Sequence, residues 1–320
     1  MKGFGRRPGL GWLLVMALGL SAICMAHQLP ALLHGTWPLA HPTESPGLAQ
    51  PTGPTAGLPE VSITATPTWT LSATPMTTRF PARGVGPVTV TIIYDNNAFD
   101  ARLQAAWGFA CLVEVGGRTV LFDTGGDGAT LMANLAALGI DPGQVEAVVL
   151  SHMHGDHTGG LDALLASNDH LVVYVPASFA MEISRLVGGR AGVVEVSGPM
   201  EIVEGVHTTG EMGTAVVEQS LIVETDRGLV VVTGCAHPGI VEIVRRATAQ
   251  GEVDLVIGGF HLSDRSRSDV QVVIEELLAL GVRRIAPCHC TGAEATAEFE
   301  AAFGAGFVPC GVGTVIAIGQ

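Results

Sequence analysis

Basic residues are scarce in this sequence. The 320 residues include 16 Lys and Arg against 30 Asp and Glu, which gives a formal net charge of −14. A nucleic-acid surface needs clustered Lys and Arg, so the composition argues against a protein that binds or cleaves nucleic acid. We therefore expect a small-molecule partner and no nucleic acid, and the oligomeric state stays open.

A recognisable disulfide framework is also missing, although the chain has six cysteines. Cys288 and Cys290 are too close in sequence to pair comfortably. Cys111 and Cys310 would pair only if the fold brought them together, which the sequence does not show. No structural cross-link is therefore assigned.

The N-terminal third has the composition of a targeting segment and a tether. Lys2, Arg6 and Arg7 precede an apolar run without charge, residues 9–26. Such a run predicts a signal peptide or membrane anchor, residues 1–26, with the rest of the chain exported. Residues 27–86 are rich in Pro, Thr, Ala and Gly with few charges, which is typical of a disordered tether. Residues 87–320 remain as the folded domain, predicted outside the cytoplasm, either membrane-anchored or secreted.

Four metal-capable side chains follow a short buried strand predicted over residues 145–150. They are His152, His154, Asp156 and His157. In an extended segment, residues two apart point the same way, so His152 and His154 can bind one ion. Asp156 and His157 come as the chain turns and can face a second point nearby. Imidazole nitrogens and carboxylate oxygens are ligands for zinc and similar ions, so this stretch predicts a metal site.

Other chemically capable side chains also stand at predicted strand ends. They are Asn96, Asp123, Cys235, His237, His261, His289 and Thr291. Asn96 follows the predicted strand 88–94 and is expected either in a turn or in the wall of a site that binds substrate. His261 can ligate a metal, donate a proton or bind substrate, and Thr291 is a further candidate for substrate binding.

The spacing His-x-His-x-Asp-His of residues 152–157 resembles the signature of the metallo-β-lactamase superfamily, and the resemblance extends over about residues 88–318. One branch of the superfamily, dihydropterin–ribofuranosylaminobenzene phosphate synthase-like proteins, is similar at several further stretches. They are residues 94–96, 209–211, 233–237, 258–262 and 287–292. The resemblance implies an αββα sandwich, an α/β layered fold of two mixed sheets with outer helices and with metals at one edge. The alternation of strands and helices fits such layers.

The resemblance also implies two divalent ions, zinc first, with Mn²⁺ or Fe²⁺ as alternatives. The ligands that the resemblance implies are His152, His154, Asp156, His157, Cys235 and His289. His237, two residues after Cys235, is a further candidate that the family pattern does not supply. Asp123 is expected to support the ligands from behind, because a carboxylate there orients a ligand histidine. Cys288 and Cys290 flank His289 and are expected to pack in the interior.

Glu211 departs from the superfamily pattern. Many members carry a histidine at this position, and it completes the first metal site. We favour the hypothesis that His237 takes over this role, which leaves Glu211 to hydrogen-bond a ligand or face the substrate. Glu211 as a carboxylate ligand remains the alternative.

The predicted chemistry is hydrolysis of an ester- or phosphoester-type small molecule by a hydroxide held between two ions. Asp156 is expected to steer the hydroxide, and His261 or Glu211 to protonate the leaving group. A transferase that forms a carbon–nitrogen bond with release of diphosphate is one alternative. A di-iron oxidoreductase is disfavoured by His154, since such members usually carry Glu there, and a non-catalytic binding module by the intact set of ligands.

Overall fold

The computed structural model describes residues 86–319 of the chain. The predicted targeting segment, residues 1–26, lies outside this range, as does the predicted tether apart from residue 86. Within residues 86–319, no helix is both long enough and apolar enough to cross a membrane.

Thirteen strands occupy the described range. Their bounds are β1 Val88–Tyr94, β2 Ala110–Val115, β3 Arg118–Phe122, β4 Ala147–Val149, β5 Val172–Pro176, β6 Gly192–Val196, β7 Met200–Val203, β8 Val206–Thr208, β9 Leu221–Thr225, β10 Gly228–Thr233, β11 Val253–Gly259, β12 Arg284–Cys288 and β13 Val315–Ile318. Val, Ile and Leu dominate these segments, as expected for strands buried on one or both faces.

Seven α-helices alternate with these strands in the described range. Their bounds are α1 Gly128–Leu138, α2 Gly155–Thr158, α3 Leu161–Ser167, α4 Ala180–Val187, α5 Ile240–Thr248, α6 Arg267–Ala279 and α7 Ala293–Phe303. Helix α1 shows how the sequence sets its ends. The Asp127 side chain caps its first turn by accepting from the Thr130 amide, and Gly139 ends it in the left-handed conformation.

The strands form two mixed sheets. The first has the order β13-β1-β2-β3-β4-β5-β6, and the second has the order β12-β11-β10-β9-β8-β7. Strands β3 to β6 are parallel to one another, as are β10 to β12, and the remaining pairs are antiparallel. The parallel stretches need crossover connections, and helices supply them on the outer faces.

Three apolar clusters hold the layers together. The central one joins the facing sides of the two sheets and includes Val90, Phe122 and Ile257, all fully buried. A second packs the first sheet against α1, α3 and α4. The third packs the other sheet against α5, α6 and α7. The predicted αββα sandwich is therefore confirmed.

One edge of the sandwich collects the carboxyl ends of parallel strands from both sheets. Strands β3 and β4 of the first sheet end there at Phe122 and Val149, and β10, β11 and β12 of the second end at Thr233, Gly259 and Cys288. Residues that follow parallel strands share one edge, where α/β folds place their ligands. The metal-capable residues predicted from the sequence follow these five strands.

Candidate metal centre

The loop after β4 carries the first histidine pair. His152 and His154 lie side by side, with 3.0 Å between Nε2 of His152 and Nδ1 of His154. The Ser151 hydroxyl is 2.8 Å from Nδ1 of His152 and donates to the Asp123 carboxylate at 2.7 Å. These contacts fix the His152 ring, which is fully buried, and leave its Nε2 directed at His154.

Asp123, after β3, holds the loop and a second histidine. Its carboxylate accepts from the Ser151 amide at 2.6 Å and lies 2.7 Å from Nδ1 of His157. A proton on Nδ1 of His157 is thereby held by the carboxylate, and Nε2 faces the Cys235 sulfur at 3.2 Å, on the side where a metal would bind. Asp123 thus makes the contacts that a supporting carboxylate requires.

His289 follows β12 and is oriented by residues at the end of β1. Its backbone amide donates to the buried Asp95 carboxylate at 3.0 Å. The Asn96 side chain donates to the His289 carbonyl at 3.2 Å and accepts at 3.0 Å from Nδ1 of the ring. The Asn96 side chain thus positions His289 through two contacts, and its role in substrate binding stays a prediction.

The turn after β10 presents Cys235 and His237 and is built on a carboxylate that the sequence analysis missed. Glu218 is fully buried and accepts from the backbone amides of Cys235, Ala236 and His237 at 2.8–3.0 Å. The Thr233 hydroxyl donates to it at 3.1 Å. A single acidic residue before a strand gives no distinctive signal, since its partners are backbone groups distant in sequence.

Gly234 lets the two sheets approach each other at this point. A Cβ at this position would lie 2.3 Å from the Ser151 hydroxyl and 3.0 Å from the Asp123 carboxylate. Any larger residue would separate the turn after β10 from the loop after β4. The absent side chain therefore allows Cys235 to face the histidines of the first sheet.

The metal-capable atoms fall into three groups that share the Cys235 sulfur. One consists of Asp156, His157, Cys235 and His289; another of His152, Cys235 and His237; the third of Cys235, His261 and Cys290. Within each group the ligand atoms lie within 4.8 Å of one another. His154 is not a member of these groups but lies beside the second one, with its ring centroid 4.5 Å from that of His152 and 4.9 Å from that of His237.

Two ring nitrogens at these groups fit the binding of divalent metal. Nε2 of His237 and Nε2 of His289 are buried and make no hydrogen bond within residues 86–319, although the His289 atom lies 3.4 Å from the Asp156 carboxylate. A buried polar atom left without a partner is costly, and a metal ion would satisfy it. The donor set of imidazole, thiol and carboxylate is also the one that zinc and related ions take. The residues therefore fit the group that the sequence implied.

The electrostatics of the site favour the ligand-competent forms of His152, His237 and Asp156 but not of His157. Burial lowers the pKa of His152, and it lowers that of His237 to about 4, so both rings are neutral near pH 7. The contact with His289 lowers the pKa of Asp156, which stays ionised. Burial alone would lower the pKa of His157, but the Asp123 carboxylate outweighs it and raises the pKa.

Cys290 corrects a prediction. It was expected to pack away from the site, whereas its sulfur lies 3.3 Å from the Cys235 sulfur. The alternation expected of a strand fails because His289–Thr291 form a 3₁₀ turn. Hydrogen bonds with the Cys235 and His261 side chains lower the pKa of Cys290. Cys288 is buried in the central apolar cluster, as expected.

The contacts of Glu211 and Thr291 bear on their predicted roles, which stay predictions. The Glu211 carboxylate accepts from the Ser178 amide at 2.7 Å, and it belongs to none of the three ligand groups. The Thr291 hydroxyl donates to the Cys288 carbonyl and accepts from the Phe260 amide. Thr291 is fully buried and holds the turn. His261 remains exposed, with its ring 4.4 Å from that of His237.

Backbone strain is concentrated at this site. Four non-glycine residues of the described range have positive φ, namely Asp123, Ala236, His261 and His289, with φ between 49° and 60°. Each follows one of the strands that end at this edge, and each is a candidate ligand, supports one or lies next to one. L-residues rarely adopt this conformation, so the surroundings must enforce it.

The family follows from comparison with known proteins. The model of the metallo-beta-lactamase superfamily matches residues 108–289, which include the loop after β4 and His289. This chain belongs to the metallo-beta-lactamase superfamily.

Individual relatives refine the comparison. A 7,8-dihydropterin-6-methyl-4-(beta-D-ribofuranosyl)-aminobenzene-5'-phosphate synthase of Methanocaldococcus jannaschii is 27% identical over 278 residues, 71% of this chain and 95% of that protein. The crystal structure of Tm1679, a metal-dependent hydrolase of the beta-lactamase superfamily, has a TM-score of 0.62 at 26% identity and covers 73% of this chain and 100% of its own. A ribonuclease Z of Bacillus cereus is 31% identical over 122 residues, only 36% of this chain and 37% of that protein. The resemblance to the dihydropterin branch is confirmed.

Proposed function

We propose that this protein is a metal-dependent hydrolase of an ester- or phosphoester-type small molecule. The observation that carries the proposal is the set of ligand groups that meet at the Cys235 sulfur, with a buried ring nitrogen of His237 that has no hydrogen-bond partner in the described range. When bound, two divalent ions at such groups supply Lewis acidity and a water of lowered pKa. Similarity to a metal-dependent hydrolase over 73% of the chain supports the same reaction class.

The protein's own side chains would orient the ligand rings and the attacking water. Asp123 and Asn96 hold the rings of His157 and His289, and this contact decides which nitrogen faces the site. The Asp156 carboxylate is ionised, because its contact with His289 lowers its pKa. An ionised carboxylate at this place accepts a hydrogen bond from an attacking water and orients it toward the substrate.

His261 is the better candidate for proton donation to the leaving group. Its hydrogen bond with Cys290 raises the pKa of the ring, and the side chain is exposed at the mouth of the site. Glu211 is held by the Ser178 amide instead. A raised pKa keeps a larger share of His261 protonated near neutral pH, which suits a general acid.

A synthase reaction is the second candidate. It is favoured by the similarity to the dihydropterin synthase, which extends over 71% of this chain. In that case the same residues would bind two organic substrates and form a carbon–nitrogen bond as diphosphate leaves. The two candidates differ in whether turnover needs a second organic substrate.

The test begins with metal content and ends with turnover. The full chain, purified without chelators, is analysed for bound metals and screened on phosphate esters, phosphodiesters, lactones and thioesters. We expect about two divalent ions per chain and turnover of one substrate class alone. His152→Ala should lose both, whereas the control His170→Ala, whose side chain is 89% exposed, should lose neither.

Two results would count against the hydrolase. A protein without bound transition metal, and without metal-restored activity, would contradict metal dependence. Turnover that appears only when an amine and a diphosphate ester are supplied together would show the synthase reaction instead.

A further inference from the structure

A cleft opens beside the candidate metal centre. It has a volume of about 430 Å³ and lies between α5 and α6, with His237 and His261 at its inner end. Its walls include the apolar side chains of Ile240, Phe260 and Val273. A cleft of this size accommodates a small organic molecule. A group bound in it would sit next to the residues proposed for the chemistry.

The acidic residues along the cleft already have ion-pair or hydrogen-bond partners. Glu242 and Glu276 both pair with Arg245, the latter at 3.2 Å. The Ser266 hydroxyl donates to Asp269 at 2.7 Å. These carboxylates therefore repel an incoming anion less than free ones would.

Arg265 is the cation of this cleft that remains available. Across residues 86–319 its guanidinium makes no side-chain hydrogen bond and no ion pair, and it is exposed. By contrast, the neighbouring Arg267 pairs with Glu298 at 2.9 Å. Arg265 and His261 line the same cleft.

An available guanidinium at this place predicts the charge of its ligand. Its planar fork binds carboxylate or phosphate through two parallel hydrogen bonds. In a chain with a net charge of −14, a site for an anion needs a local cation, and the cleft supplies one next to the metal-capable residues. The same residue also borders a second cavity of about 500 Å³ on the side of α7, so it stands where both cavities meet.

We propose that Arg265 binds a carboxylate or phosphate group of the substrate, whose apolar part lies in the cleft between α5 and α6. The substrate class is then an anionic ester or phosphoester with an apolar part next to its charge. This inference rests on the proposed function for the identity of the reacting bond. It goes further by naming the charge of the substrate and a residue that selects it.

A binding experiment tests the proposal without turnover. The full, metal-loaded chain is titrated calorimetrically with phenylacetate, phenylphosphonate and the neutral phenylacetamide. We expect the anions to bind more tightly than the amide, and Arg265→Ala to weaken the anions by roughly 10–100-fold, as for loss of a charge-assisted hydrogen bond. Arg265→Lys should recover part of the affinity. Arg267→Ala, which removes an ion-paired arginine, should bind like the wild type.

Metal content is measured in every variant, because the phosphonate also has affinity for metals. Equal affinity of wild type and Arg265→Ala for both anions would overturn the proposal, as would equal affinity of the wild type for phenylacetate and phenylacetamide. The relative affinities of the two anions tell a carboxylate site from a phosphate site.

Kinetics separates this proposal from the proposed function. With matched esters, one bearing a carboxylate and one neutral, Arg265→Ala should raise KM for the charged ester and leave kcat and the neutral ester nearly unchanged. If no ester or phosphoester is turned over but Arg265→Ala still weakens anion binding, the hydrolase proposal is contradicted and the proposal of an anion site at Arg265 is supported. A uniform fall in kcat on both esters would instead contradict the role of Arg265 in selecting charge.

Discussion

At the scale of single residues, His237 and Glu211, the two candidates for the last ligand of the first metal site, differ clearly in their contacts. Nε2 of His237 is buried without a hydrogen-bond partner and belongs to a ligand group, whereas the Glu211 carboxylate is bound to the Ser178 amide. We therefore expect His237→Ala to weaken metal binding by at least roughly 10–100-fold, the range seen even for residues that only orient a ligand. Glu211→Gln should keep its metal. Metal content after dialysis against a graded series of chelator concentrations measures both, and the reverse ranking would show Glu211 to be the ligand.

The titration of Asp95 gives a second prediction at this scale. Burial raises the pKa of this carboxyl from its ordinary value to about 6. Between about pH 4 and pH 6 the folded protein therefore holds a proton that the unfolded chain has lost, and stability falls as the pH rises through this window. We expect metal-free protein to show this fall in thermal denaturation, and Asp95→Asn to flatten it. An identical pH profile for the two proteins would contradict the assignment.

Residue by residue, the sequence predicted the ligand candidates better than the groups that hold them. His152, Asp156 and His289 are recognisable because metal-capable residues at strand ends have few other uses. The role of Glu218 and the contact of Asn96 with His289 were not predictable, because their partners are backbone groups and a ring far away in sequence. The strain at positive φ was equally hidden, since it depends on the packing around each turn.

At the scale of elements, helix α1 offers a test that is independent of the metal. Asp127 caps its first turn and accepts from the Tyr94 hydroxyl at 2.8 Å. We expect Asp127→Ala to lower the free energy of unfolding by about 1–2 kcal/mol, as for loss of an N-cap. Metal content should not change. Asp162→Ala, at an exposed position in the first turn of α3, is the control and should cost less.

Equal losses in the two variants, measured by chemical denaturation, would show that the cap contributes nothing specific.

The strands and helices themselves were largely predictable from periodicity. The 3₁₀ turn at His289–Thr291 was not predictable. It places the Cys290 side chain differently from the alternation expected of a strand. A turn of three residues has no periodicity to detect, and its conformation follows from the contacts of His289 with Asp95 and Asn96.

At the scale of the whole molecule, the layered fold followed from the signature and from the alternation of strands and helices. The cellular location remains a prediction, because residues 1–85 lie outside the described range. The basic residues and apolar run at the N-terminus lead us to expect an enzyme outside the cytoplasm, anchored or secreted. Fractionation of cells that express the full chain measures this. Recovery of the full-length protein in the soluble cytoplasmic fraction would contradict both forms.

The left-handed backbone at Asp123, Ala236, His261 and His289 has a consequence for how this protein tolerates substitution. Each such residue holds a conformation that costs an L-amino acid about 1–2 kcal/mol. Glycine at Ala236 would relieve that cost, and a screen for thermostability should therefore favour the substitution. The same substitution would loosen the turn that carries Cys235 and His237. Improving the heat resistance of this protein at its four strained positions would thus work directly against the rigidity of its metal ligands, and thermostable variants are better sought on the outer helices.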